Sequence, residues 1–157
     1  MTKTRLLRNS LFAFACAATA ALTNGSLRAE DDAVEITIEA DKLQLIFKTT
    51  EFTVPAGKKV LLTLVNPKGS IQPHNLIIVS PGKEQEVGAL ANLGLTDPEF
   101  LKNPVPESDD VLFATELLQP DSETTLEFTA PEEPGQYPYM CTFPGHWMIM
   151  KGVMTVE

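Results

Sequence analysis

Residues 34–38 alternate. Val34, Ile36 and Ile38 are separated by polar residues, as in a strand with one face in a core and the other in water. Leu43, Leu45 and Phe47 repeat the pattern and predict a second strand. Phe52 and Val54 predict a third, stopped by the turn-forming Pro55-Ala56-Gly57. Residues 59–65 read Lys-Val-Leu-Leu-Thr-Leu-Val, apolar enough to predict a strand buried on both faces, and Asn66-Pro67-Lys68-Gly69 breaks it. His74 opens the next strand, with Leu76 and Ile78 on its own face and Ser80-Pro81-Gly82 behind them.

The rhythm changes over residues 83–103. Val87, Leu90, Ala91 and Leu95 lie at helical spacing, and Asp97-Pro98 has the form of an N-cap followed by proline at the first helical position. One or two short helices are predicted here, as an excursion from the sheets. Strand signals resume over 111–118, 123–129 and 136–141, and residues 151–156 close the chain. Seven or eight short strands at regular spacing predict an all-β, antiparallel Greek-key β-sandwich. No internal repeat or second-domain boundary interrupts it, so residues 30–157 are expected to form a single domain.

Residues 1–29 are set apart. Lys3, Arg5 and Arg8 precede an uncharged run from Asn9 to Leu27, and Ala29 closes a small-residue cleavage pattern. This layout predicts a secretory signal peptide and a periplasmic or secreted product. An uncleaved anchor is the rival reading, weakened because Ala and Thr dilute the apolar run; a lipoprotein reading through Cys16 is weakened by Phe14. Without residues 1–29 the chain keeps eight lysines, no arginine and 21 acidic residues, a net charge of −13. Such a surface disfavours nucleic acid and anionic membranes, so no nucleic-acid partner is expected, and no stable membrane insertion after cleavage. It suits basic or weakly charged partners, and equally serves solubility.

Only one cysteine, Cys141, then remains, in a chain bound for an oxidising compartment where a lone thiol is a liability unless buried, catalytic or held by metal. Cys141, His146 and Met150 stand at Cys-x4-His-x3-Met spacing in one stretch, and the other histidine, His74, lies far upstream. Taken singly, each has a plainer role: Cys141 and Met150 as core, His74 as a structural imidazole. Together they make the ligand set of an electron-transferring copper site, two imidazoles and one thiolate with a weak axial thioether. Both histidines are used, so none is left for the second copper centre that a copper enzyme of this type would need. The expected function is a one-electron carrier, not an enzyme; copper storage or delivery is the alternative.

The segment Cys141-Thr142-Phe143-Pro144-Gly145-His146, followed by Met150-Lys151-Gly152, resembles the copper loop of azurin and the azurin-like auracyanins. Pro73-His74-Asn75 resembles the first-histidine motif of plastocyanin. The resemblance covers about residues 52–157 and implies a cupredoxin fold with one type 1 copper ion, cycling between Cu(I) and Cu(II). It implies His74, Cys141 and His146 as in-plane ligands and Met150 as the axial one. It further implies that Asn75 bonds near Thr142 and that the Phe143 amide donates to the cysteine sulfur. Azurin has glycine where this chain has Pro73, so a fifth ligand from the Pro73 carbonyl is left open, and azurin's disulfide is absent. By the same resemblance the outer edge of His146 reaches the surface as the electron exit, with Pro144, Trp147, Met148 and Met140 as candidates for a surrounding apolar patch. Trp147 is equally readable as core. The expected partners are redox proteins, such as a basic or neutral cytochrome c, met by a monomer.

Overall fold

In the computed structural model, which describes residues 33–157, the alternation resolves into eight strands in two sheets. They are β1 (Val34–Glu39), β2 (Glu51–Val54), β3 (Lys59–Asn66), β4 (Ile77–Val79), β5 (Val111–Ala114), β6 (Ser122–Thr129), β7 (Gly135–Met140) and β8 (Lys151–Val156). One sheet has the order β1-β3-β6 and the other β2-β8-β7-β4-β5. Their inner faces enclose a single core. Ile38, Val60, Leu62, Leu64 and Phe128 come from the first sheet, and Val54, Ile78, Tyr137, Tyr139, Met154 and Val156 from the second. The expected signal peptide, residues 1–29, lies outside the described residues. Among the described residues no helix is long and apolar enough to cross a membrane.

The all-β sandwich predicted from the alternation is the fold, with differences of detail. β1 pairs with β3, and β2 with β8, in parallel, so the sheets are not wholly antiparallel. The Leu43–Leu45–Phe47 alternation does not form a strand. Asp41 Oδ1 accepts hydrogen bonds from the amides of Leu43 and Gln44, both at 2.9 Å, which folds the segment into a turn and leaves Leu43 exposed. The chain then returns through a bridge between Ala40 and Phe47. β3 is buried fully on one face only, through Val60, Leu62 and Leu64. The strand closed on both faces is β4, whose Ile78 enters the main core while Ile77 and Val79 face outward into a second cluster.

That second cluster is roofed by the predicted excursion. The helix α1 (Glu84–Leu93) buries Val87, Gly88 and Ala91, with Val87 in the cluster of Ile77, Val79, Met140 and Trp147 and Gly88 against Trp147. Gly88 is needed for this contact, because a Cβ there would sit inside the indole of Trp147. The Asp97-Pro98 start signal is used, but for a single 3-10 turn (Phe100–Lys102), with Asp97 Oδ1 accepting from the Glu99 amide at 2.9 Å. On the far side, the hydroxyl of Tyr137 donates to the Glu133 carbonyl at 2.8 Å, pinning the corner that leads into β7.

Candidate metal centre

Strand alternation alone carries three of the four candidate side chains to one end of the sandwich. Tyr137 and Tyr139 of β7 point into the core and Met140 points out, so the next residue, Cys141, points in. Met154 and Val156 of β8 point in, and the same period turns Met150 inward at the start of that strand. Ile78 and Leu76 face the core, and the period extends to His74 just before β4. The His74 backbone is held on both sides, its amide donating to the Leu118 carbonyl at 3.0 Å and its carbonyl accepting from the Leu118 amide at 2.8 Å.

The fourth side chain is placed by two turns. Phe143-Pro144-Gly145-His146 closes with the His146 amide donating to the Phe143 carbonyl at 3.0 Å. Proline supplies the fixed φ of the second turn residue, and Gly145 takes the positive φ of 84° that the third requires. The His146 carbonyl then accepts from the amides of Ile149, at 3.0 Å, and Met150, at 2.8 Å. The loop is shut at its base, where the Cys141 amide donates to the Met150 carbonyl at 3.0 Å.

Three ligand atoms converge there. One from each of His74, Cys141 and His146 lie within 4.8 Å of one another, and all three residues are buried. Both imidazoles turn Nδ1 toward the sulfur, His146 at 3.5 Å and His74 at 3.9 Å, with ring centroids 5.2 Å apart. Met150, fully buried, lies in the same core cluster as Cys141. Burial pushes the Cys141 thiol up to about 12, opposed by the backbone N–H groups of Asn75 and Phe143 directed at its sulfur. Burial, and then the proximity of His146, lowers His74 to about 4, and burial lowers His146 as well. Two neutral imidazoles beside a buried sulfur form a soft, nitrogen-rich donor set, and a cation placed among them supplies the charge that a thiolate needs. The residues present fit copper.

The support around these donors spans three segments. Asn75 Oδ1 accepts from the Thr142 amide at 2.8 Å, and Asn75 Nδ2 donates to Thr142 Oγ1 at 2.8 Å, the tie expected from the sequence. The Pro104 carbonyl, at the end of the helical excursion, accepts from Thr142 Oγ1 and, at 3.4 Å, from Asn75 Nδ2. No sequence signal marks that carbonyl, because every residue has one. The excursion also reaches the loop through Trp147, whose indole N–H donates to Asn92 Oδ1 at 3.1 Å.

A comparison of the chain with protein-family models matches residues 34–157 to the copper-binding proteins of the plastocyanin/azurin family. The chain belongs to that family. It is 33% identical to Auracyanin-A of Chloroflexus aurantiacus over 124 residues, 79% of this chain and 75% of that protein. It is also 33% identical to Auracyanin-B of the same organism, covering 81% of this chain and 54% of the relative. The solved structure of auracyanin A, described as a blue copper protein from that bacterium, superposes with a TM-score of 0.71 at 34% identity. It covers 80% of this chain and 100% of that one. Copper is thus the metal of this cupredoxin, as its donor set indicates.

At the outer edge the structure departs from the expectation. His146 is 1% exposed, and its Nε2 lies 2.5 Å from Oε1 of Gln72. The imidazole edge is covered, not displayed. Trp147 and Met140 are buried in the cluster beneath α1, so neither contributes to a surface patch. Met148 is exposed as expected, at 60%, and so are Ile71 and Ile149, which sequence reasoning passed over.

Proposed function

We propose that this cupredoxin is an exported one-electron carrier, in which His74, Cys141, His146 and Met150 would hold a single type 1 copper ion. The observation that carries the reading is the convergence of two buried Nδ1 atoms on one buried cysteine sulfur. Bound copper supplies a centre that exchanges one electron between two stable oxidation states. The chain supplies the rest. The loop closed by the Cys141–Met150 hydrogen bond and the Asn75–Thr142–Pro104 tie present the donors in one arrangement, so little has to move when charge changes. Burial keeps water off the sulfur, and the amides of Asn75 and Phe143 share its negative charge.

Burial of all three donors favours retention over handover, and so favours the carrier over copper storage or delivery. Both histidines of the chain stand in this one cluster, which supports a carrier over an enzyme with a separate copper centre. Export, by way of residues 1–29, would place it in the periplasm or outside the cell. There its acidic surface would meet a basic or neutral redox protein, such as a cytochrome c, as a monomer. Copper transfer to a chelator, measured beside the electron self-exchange rate, tests the carrier reading. Slow transfer with fast exchange is expected, and ready surrender of copper with sluggish exchange contradicts it.

A further inference from the structure

We propose that Gln72 is a positioning residue of the copper site: it holds His146 in the tautomer that binds metal and closes the outer edge of the imidazole to water. The inference rests on the ligand reading above, in which Nδ1 of His146 faces the metal. A neutral imidazole has one proton, so a metal on Nδ1 leaves Nε2 as an N–H donor that needs an acceptor. In an open site water takes that part. Here Gln72 Oε1 takes it at 2.5 Å, while Nδ1 of the same ring lies 3.5 Å from the Cys141 sulfur.

Gln72 is itself held in place. Its backbone carbonyl accepts from Asn66 Nδ2 at 3.0 Å and from Ser70 Oγ at 3.2 Å. Asn66 Nδ2 also donates to the Leu118 carbonyl at 3.1 Å, the same carbonyl that accepts the His74 amide. One buried asparagine therefore couples the segment that covers His146 to the segment that fixes His74. The acceptor for His146 is set in register with the other imidazole before metal arrives. The outer edge of His146 is therefore covered by the Gln72 amide, and no bare imidazole is presented there.

The test uses the full-length protein and its Gln72→Leu and Gln72→Glu variants, the second of which keeps an acceptor oxygen at the same reach. Copper affinity is measured by competition with a chelator, and solvent exchange of the His146 Nε2–H proton by NMR on the diamagnetic Cu(I) form. The expected result is slow exchange in the wild type. Gln72→Leu should exchange fast and bind copper about 10- to 100-fold more weakly, and Gln72→Glu should restore most of the affinity. A wild-type Nε2–H that exchanges like free imidazole overturns the inference, whether or not the variants fold. So does a Gln72→Leu protein with wild-type exchange and affinity. If wild-type protein is blue and Gln72→Leu matches it in exchange and affinity, only the role of Gln72 fails; if wild-type protein binds no copper, the ligand reading itself fails.

Discussion

Cys141 holds its proton at neutral pH, as an ordinary thiol does, and burial pushes the thiol further up, to about 12. A metal that binds the thiolate must displace that proton. Copper loading at pH 7 should therefore release one proton per ion, measured calorimetrically in two buffers of different ionisation enthalpy, and release of none would deny the sulfur its role. The Phe143 amide is a second residue-scale lever. It stabilises negative charge on sulfur, which is greatest when the metal is reduced, so Phe143→Pro should lower the reduction potential. If the differential worth of that hydrogen bond is about 1 kcal/mol, the shift is about 40 mV. Phe143→Ala keeps the amide while removing the ring that packs 4.9 Å from the His146 ring, and voltammetry on both separates the two effects. At this scale the cluster of candidate donors was legible because the chain has so few candidates: two histidines, and one cysteine outside residues 1–29. Gln72 was not, since a glutamine beside a loop proline carries no chemistry that marks it until the fold brings it to His146.

Among elements, the alternation of β7, β8 and the approach to β4 does the work of aiming Cys141, Met150 and His74, and that period was readable in the chain. Which strands would pair was not. Alternation says which face is buried but not which neighbour lies alongside, so the parallel β1–β3 and β2–β8 pairs came only with the structure. The turn at Asp41 shows local chemistry overriding pattern, since its carboxylate takes the Leu43 and Gln44 amides and forfeits a strand the apolar spacing favoured. The helix α1 appears at the predicted place, but its task was hidden: it packs Gly88 against Trp147, the neighbour of His146. Gly88→Ala should thus overpack this contact, at a cost of roughly 1–3 kcal/mol in denaturant unfolding. The visible spectrum of the copper form should change with it. An Ala variant of wild-type stability would detach α1 from the copper loop.

For the whole molecule, the cost of burying the site without metal appears in its pH dependence. His74 titrates at about 4 in the folded chain against an ordinary value of 6.5. Between those values the unfolded chain binds more protons, so stability of the metal-free protein should fall as pH drops from about 6.5 to 4. His74 alone contributes about 3 kcal/mol to this loss. His146, also lowered by burial, acts in the same direction. On the proposed ligand set copper would occupy both imidazoles, so the copper form should hold its stability further into acid, as urea unfolding at stepped pH would show. The central claim is that His74, Cys141 and His146 bind one copper ion through the Cys141 thiolate. Its most direct test is the visible absorption spectrum of the protein after addition of one equivalent of Cu(II), alongside Cys141→Ser. An intense thiolate-to-copper charge-transfer band in the wild type, absent from Cys141→Ser, is the predicted result. A colourless wild type, or a Cys141→Ser protein of the same colour, would contradict it.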